Sequence, residues 1–245
     1  MKDLTWLKTE YIAHRGLHQK DQSVPENSME SFKLALENDY AIELDVNLTK
    51  DEVPVVFHDH SLKRMTQIDR LITELTKEEL KGINLAQTSE KIPTLLEVIT
   101  FVNGKKPLLI ELKPHQNVDM LCYQVMEVLK DYTGEFAIFS FHPTVVSILK
   151  KFYPDVIRGQ ISEYFRTNEH MNWFQKYLMK SMFFNRFSNP DFISYGISDL
   201  PNKYLDRQKK KGVVIISYAA RSQEDFDKVK SYYDNVVFEY FEPKR

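Results

Sequence analysis

Carboxylate side chains recur at alternate positions in two short apolar segments of the chain. Glu43 and Asp45 alternate with aliphatic residues in segment 42–46, and Glu111 and Lys113 do so in segment 109–113. In a β-strand, residues two positions apart project from the same face, roughly 6.5–7 Å apart. Because burying unpaired carboxylates together is costly, a cation is the natural compensation. Three carboxylates without cysteine or clustered histidine favour Mg²⁺ or Ca²⁺ over Zn²⁺. The alternative is a carboxylate–lysine network that only stabilises the protein.

Two histidines stand beside residues that could bind or orient a reacting group. His14 precedes Arg15 and Gly16 at the end of a predicted strand, and His58 precedes Asp59. An imidazole titrates near neutrality, and a guanidinium offers a fork of donors suited to a phosphate. Phosphodiester cleavage needs one proton acceptor for the attacking oxygen and one donor for the leaving oxygen. We therefore expect His14 and His58 to form an acid–base pair beside the metal.

Composition limits the class of protein. The 245 residues carry 33 Lys and Arg against 35 Asp and Glu, which leaves a net charge of −2 and gives no reason to expect a nucleic-acid partner. The chain has one cysteine, Cys122, which fits a reducing compartment. Neither a signal-peptide core nor a stretch long enough to span a membrane is present. We expect a cytoplasmic protein with one domain over residues 1–245 and no stable membrane insertion.

Short apolar segments alternate with segments of helical periodicity, a pattern typical of βα units and a parallel sheet. This pattern predicts an α/β protein with an eight-stranded TIM-type β/α barrel, in which the chemistry lies at the carboxyl ends of the strands. The eight predicted strands are Tyr11–Arg15, Ala41–Val46, Leu108–Lys113, Phe136–Phe141, Val156–Ile161, Asp191–Gly196, Val213–Tyr218 and Asn235–Tyr240.

Local signals add detail between the strands. The interval after segment 42–46 is too short for a parallel crossover, so residues 47–58 are predicted to form an antiparallel hairpin that brings His58 to the level of Asp45. Residues 59–102 then form a long connection. Asn27 is predicted to cap the first long helix, Thr76 and Thr94 begin capping boxes, Pro143 and Pro201 suit first helical positions, and Ser222 suits a cap.

Several motifs, taken together and in this order, resemble the glycerophosphodiester phosphodiesterase family. The likeness spans nearly the whole chain and rests on segments 14–16, 25–28, 43–46, 58–59, 92–95 and 111–113, with Thr49, Leu62, Arg64 and Thr66. It implies an irregular TIM-type β/α barrel and the hydrolysis of glycerophosphodiesters to glycerol 3-phosphate and an alcohol. It also implies that His14 and His58 are the acid–base pair and that Glu43, Asp45 and Glu111 bind the metal.

The resemblance also implies residues that bind the substrate. Arg15 and Lys113 match groups that hold the phosphate, and Phe141 and Tyr218 match aromatic positions beside the ligand. The chain departs from the family pattern at Glu52, where a glycine is usual in the hairpin turn, and after Tyr218, where Ala219-Ala220-Arg221 replace the usual residues. The second departure leaves the alcohol group of the substrate open.

Two other functions stay open at this point. A related phospholipase would act on lipid at a membrane, and the aromatic and methionine-rich segment from Trp173 to Phe184 is a candidate contact, although such a stripe more often lies in a core or at a homodimer interface. A barrel that binds phosphate without turnover is the non-enzymatic alternative. The short basic run Lys209–Lys211 is predicted to be the solvated end of a helix rather than a binding patch.

Overall fold

A computed structural model of the protein describes residues 2–115 and 117–245. It contains two compact units, one formed by Met1–Tyr11 with Ala137–Arg245 and the other by Ile12–Phe136. The prediction of a single domain over residues 1–245 stays a prediction, and it includes Met1 and Gln116, which lie outside the described residues.

The secondary structure alternates between strands and helices along the chain. The strands are β1 Ile12–Ala13, β2 Ala41–Leu48, β3 Pro54–Val56, β4 Leu108–Leu112, β5 Phe136–Ser140, β6 Ile157–Ser162, β7 Phe192–Gly196, β8 Val214–Ala220 and β9 Asn235–Phe238. The helices are α1 Thr5–Thr9, α2 Met29–Glu37, α3 Lys63–Thr66, α4 Lys77–Leu80, α5 Leu95–Val102, α6 Val118–Leu129, α7 Pro143–Phe152, α8 Trp173–Lys180, α9 Asn185–Ser188, α10 Lys203–Lys209 and α11 Gln223–Tyr232. Short 3₁₀ turns lie at Ile72–Glu74 and Ile197–Asp199. All eight predicted strands are present, together with β3.

In the unit Ile12–Phe136, β2 is the central strand. It pairs in parallel with β1 and with β4, and in antiparallel with β3. Seven of its eight residues are buried, so both faces of the strand are covered, as is usual for a parallel sheet. The register sets Asp45 beside Glu111 on β4. Residues of one face of β2 therefore lie level with residues of the same face of β4.

The predicted hairpin is formed by β2 and β3. Val46 pairs with Val56, and the Phe57 amide donates to the Asp45 carbonyl at 2.9 Å. His58 therefore follows the residue opposite Asp45 by one position, close to the predicted level. The turn places Glu52 in the left-handed region, with φ of 61°. This conformation explains why a glycine suits that position, since a side chain there is strained.

Helix caps were predicted with one error in this unit. Ser28, rather than Asn27, caps α2: its side chain accepts from the Ser31 amide and forms a capping box. Asn27 has φ of 57° and its side chain is turned toward β2 instead. The capping boxes at Thr76 and Thr94 are confirmed at the starts of α4 and α5. The long connection 59–102 has its own apolar cluster, which includes Leu62, Met65, Ile72, Leu75, Leu80 and Leu85.

In the other unit, β5 to β9 pair in parallel in chain order. Pro143 is the first residue of α7 and Ser222 caps α11, as predicted. Pro201 is not the first residue of a helix, because Asn202 caps α10, which begins at Lys203. Among the described residues, no helix has both the length and the apolar character needed to cross a bilayer.

Candidate active site

Three acidic side chains meet between the middle of β2 and the carboxyl end of β4. Glu43 and Asp45 project from one face of β2, and Glu111 projects from β4 beside Asp45. Each offers a carboxylate oxygen, and these oxygens all lie within 4.8 Å of one another. All three residues are buried. The structure therefore brings together the predicted metal-binding trio, whose role as ligands stays a prediction.

Lysine and arginine offset only part of this buried negative charge. Lys113 Nζ lies 3.1 Å from Asp45 Oδ1 and 2.5 Å from Glu111 Oε1. Burial raises the pKa of Asp45, but the positive charge of Lys113, with smaller contributions from His58, Arg15 and His14, outweighs burial and lowers it. The carboxylate–lysine contacts considered from the sequence are thus present.

The negative charges around Glu43 are not balanced by the neighbouring cations. Its pKa is raised well above its ordinary value, first by burial and then by the negative charges of Asp45 and Glu111. Burial also raises the pKa of Glu111. Ionising all three carboxylates therefore requires additional positive charge. A divalent cation bound by oxygen ligands would supply that charge, so the residues fit a hard-metal site.

Arg15 is held among the carboxylates. Its backbone N–H donates to Glu43 Oε2 at 2.9 Å, its Nε lies 3.3 Å from Asp45 Oδ2, and its Nη1 donates to Glu26 Oε1 at 2.7 Å. The backbone of Arg15 is left-handed, with φ of 52°. Gly16 follows with φ of 76°, and a Cβ there would lie 2.8 Å from the backbone of Ser31, so only glycine fits against α2. The sharp turn thus holds Arg15 beside the acidic trio.

The two predicted catalytic histidines have different acidic neighbours. His14 Nε2 lies 3.8 Å from Glu43 Oε2. His58 Nδ1 lies 2.6 Å from Asp59 Oδ1, so Asp59 orients the ring as the sequence predicted. Burial raises the pKa of Asp59, but hydrogen bonds from His58 and Arg64 outweigh burial and hold that pKa well below its ordinary value. Asp59 therefore stays ionised and favours a proton on Nδ1 of His58.

A chain of charged side chains links the two histidine motifs. Glu26 accepts from Arg15 and from both terminal nitrogens of Arg64, at 2.7 to 2.9 Å. Arg64 Nε then donates to Asp59 Oδ2 at 2.6 Å. Glu26 is only 4% exposed. The order Arg15, Glu26, Arg64, Asp59 and His58 thus connects the phosphate-binding candidate to the second imidazole.

Sequence reasoning underestimated two asparagines next to the site. Asn27 Nδ2 donates to Asp45 Oδ2 at 2.9 Å, and its left-handed backbone aims the side chain at β2. Asn47 Nδ2 donates to the Phe57 carbonyl at 2.6 Å, while its Oδ1 lies 2.7 Å from Nε2 of His115. Asn47 lies two positions after Asp45 on β2, and this spacing was the sequence signal that could have placed both side chains on one face. No signal in the sequence pointed to Asn27 as a partner of Asp45.

The other histidines near the site are packed against neighbours. His18 is 2% exposed and its Nδ1 lies 3.3 Å from the Gly16 carbonyl. His60 stacks on His115 with ring centroids 3.7 Å apart. His60, two positions after His58 in the chain, is thus packed against another imidazole ring.

Phe141 and Tyr218 belong to the unit that contains Ala137–Arg245. Their rings meet edge to face with centroids 6.0 Å apart. The Tyr218 hydroxyl donates to Glu163 Oε2 at 3.2 Å, and burial raises the pKa of Glu163. The predicted contact of these two aromatic residues with substrate stays a prediction.

Comparisons with known proteins identify the family. Residues 14–237 match the glycerophosphoryl diester phosphodiesterase family. The chain belongs to this family. A family relative, the glycerophosphodiester phosphodiesterase of Caldanaerobacter subterraneus subsp. tengcongensis, is 29% identical over 244 residues, which cover 94% of each chain. The predicted enzyme class, a phosphoric diester hydrolase of the glycerophosphodiester phosphodiesterase type, is confirmed.

Solved structures of the family share the fold. An Oleispira antarctica phosphodiesterase, in complex with the product sn-glycerol-3-phosphate, matches with a TM-score of 0.80 and 25% identity over 96% of this chain and 94% of that one. A Thermotoga maritima glycerophosphodiester phosphodiesterase matches with a TM-score of 0.70 and 26% identity over 93% of each chain. The predicted TIM-type β/α barrel, with its antiparallel hairpin after the second strand, is confirmed.

Proposed function

We propose that this chain hydrolyses glycerophosphodiesters to glycerol 3-phosphate and an alcohol, with a divalent cation bound by Glu43, Asp45 and Glu111 and with His14 and His58 as its acid–base pair. The convergence of three buried carboxylates within 4.8 Å carries this proposal. Family membership over residues 14–237 supports the substrate class. The Oleispira relative, whose structure contains sn-glycerol-3-phosphate, supports the product.

The cation is Mg²⁺ or Ca²⁺ in this proposal, because every candidate ligand is a hard oxygen. When bound, it offsets the negative charge that develops on the phosphoryl oxygens. Arg15 and Lys113 bind the phosphate as well. Both side chains already lie beside Asp45, at 3.3 and 3.1 Å, so a phosphate attracted by a cation that the trio binds would meet two further cationic groups.

The histidines move the protons. One imidazole accepts the proton of the attacking hydroxyl, while the other donates a proton to the leaving alcohol oxygen. In His58, the contact of Nδ1 with Asp59 leaves Nε2 to exchange a proton with the substrate. Attack by the substrate's own glycerol hydroxyl would displace the alcohol and give a cyclic phosphate, and water would then open that ring with the two roles reversed. The tethered hydroxyl makes the first step favourable through proximity.

Alanine substitutions test the acid–base roles. We expect His14→Ala and His58→Ala each to lower kcat for glycerophosphocholine by at least about a hundredfold, with circular dichroism and folding unchanged. His170→Ala is the matched control, since His170 is exposed and belongs to the other unit. Near-parental turnover in either site variant would contradict the proposed pair.

Metal dependence has a test that does not use turnover. We expect Mg²⁺ or Ca²⁺ to raise the Tm of the parent after chelation, because a ligand that binds the folded state stabilises it. Glu111→Gln should weaken the Tm increase. An unchanged Tm with either metal would contradict the site. The cytoplasmic location, the homodimer and the role of Phe141 and Tyr218 at the alcohol group remain part of the proposal.

A further inference from the structure

Helix α8 differs from the other long helices because it buries none of its side chains. Trp173 is 80% exposed, and Phe174 and Tyr177 are about half exposed. Tyr177 lies four positions after Trp173 and three after Phe174, so its side chain is a neighbour of both on the helix surface. Helices of this length normally owe their stability to a buried apolar face. An eight-residue helix that displays its aromatic side chains therefore indicates a surface with a partner.

The aromatic surface continues into α9. Phe187 is 60% exposed, so the segment 173–187 holds four of the eight large hydrophobic side chains that are exposed in the described part of the chain. The Arg186 guanidinium lies 3.7 Å from the centroid of the Phe183 ring. Aromatic rings beside cations are the composition found at membrane–water interfaces. We call the residues Trp173, Phe174, Tyr177, Arg186 and Phe187, with the groove described next, the aromatic–basic face.

An open groove of about 860 Å³ adjoins these residues within the same unit. Its charged lining residues are all cationic: Arg186, Arg207, Lys210 and Lys211. All four are exposed, and none of them forms an ion pair with a described carboxylate. The segments 166–188 and 203–213 contain Glu169 and Asp206 as their acidic residues. This positive charge is local, since the whole chain has a net charge of −2.

We propose that the aromatic–basic face docks the protein on an anionic lipid surface. Lys and Arg near a bilayer are attracted to anionic headgroups, and exposed aromatic side chains bury themselves among the headgroups and the upper acyl chains. This proposal departs from the sequence prediction that Lys209–Lys211 is a solvated helix end rather than a binding patch, because Lys210 and Lys211 line the groove. The contact is peripheral, in keeping with the expected absence of stable insertion, and it is independent of the proposed catalytic residues.

Vesicle co-sedimentation tests this docking. We expect the full chain to bind vesicles of phosphatidylglycerol and phosphatidylcholine at low salt, to bind pure phosphatidylcholine vesicles weakly, and to dissociate at high salt. The double variant Lys210→Gln/Lys211→Gln should lose about 25-fold in affinity, about fivefold for each cation. The variant Trp173→Ala/Phe174→Ala should lose at least about tenfold, because two aromatic side chains no longer bury apolar area.

Matched controls come from the unit Ile12–Phe136. Tyr123→Ala removes an aromatic side chain that is 52% exposed, the same fraction as Phe174, and Lys105→Gln/Lys130→Gln removes two exposed lysines. Both control variants should bind anionic vesicles as the parent does. Equal binding by parent and face variants would overturn the proposal. A concentration-dependent dimer that Trp173→Ala/Phe174→Ala abolishes, without vesicle binding, would assign the face to a second copy of the chain and overturn it as well.

Discussion

Replacement of Glu26 by glutamine tests the link between the two histidine motifs. Glu26 accepts three hydrogen bonds, one from Arg15 Nη1 at 2.7 Å and two from Arg64 at 2.7 and 2.9 Å. Burial raises its pKa, but the two guanidinium groups outweigh burial and lower it, so Glu26 is ionised near neutral pH. Glutamine would keep one acceptor oxygen and turn an amide N–H₂ group toward a guanidinium.

The expected loss can be estimated from these contacts. A hydrogen bond to a charged group contributes about 1.5–3 kcal/mol, and the variant loses at least one. The Arg64 side chain is 45% exposed, so water takes over part of its hydrogen bonding. We therefore expect the free energy of unfolding to fall by about 2 kcal/mol. Because Arg64 also holds Asp59, which orients His58, kcat should fall by about 10- to 100-fold.

The assay combines urea unfolding with choline release from glycerophosphocholine in the presence of Mg²⁺. Glu30→Gln is the control, since Glu30 forms an exposed pair with Lys33 at 3.2 Å and its loss should change stability by less than about 0.5 kcal/mol. A variant Glu26→Gln whose kcat/KM stays within about threefold of the parent, despite reduced stability, would show that the network supports folding alone.

Two further predictions concern stability. Glu52→Gly should raise the free energy of unfolding by about 0.5–1 kcal/mol, because φ of 61° strains a residue with a side chain but not glycine. Urea unfolding of the variant should show a higher midpoint than that of the parent. An unchanged or lower midpoint would contradict the strain. Burial, with the nearby charges of His60 and Lys113, lowers the pKa of His115 to about 4 from an ordinary value of 6.5. The folded chain therefore binds fewer protons than the unfolded chain between those pH values, so His115 should destabilise the protein as pH falls from 6.5 toward 4. Urea unfolding at pH 7 and about pH 5 should show a smaller loss in His115→Gln than in the parent, and equal losses would refute this linkage.

The strands and the acidic trio were predictable because their signals are local. Alternation of Glu43 and Asp45 with aliphatic residues fixes which face they share, and parallel pairing of β2 with β4 then brings Glu111 beside them. The hairpin followed from the length of one interval. Family resemblance added the roles that no periodicity could supply.

Two contacts that the sequence did not predict share a physical cause. Asn27 was assigned to a cap because its sequence position suits one, yet Ser28 caps α2 and Asn27 bonds Asp45, eighteen residues away. Likewise, the joint contact of Arg15 and Arg64 with Glu26 joins segments 38 residues apart. Such partners depend on how distant segments meet in the fold, which a single sequence does not encode as a local pattern.

The candidate catalytic and metal-binding residues His14, Glu43, Asp45, His58 and Glu111, with the phosphate candidates Arg15 and Lys113, all belong to the unit Ile12–Phe136. Roughly half of the gene thus encodes the whole proposed reaction centre as one uninterrupted stretch. Mutations elsewhere could accumulate over generations without altering a single member of that centre. Proteins encoded by descendants of such a gene could differ in the alcohol that they release or in the surface that they bind, while all of them hydrolyse phosphodiesters by the same chemistry.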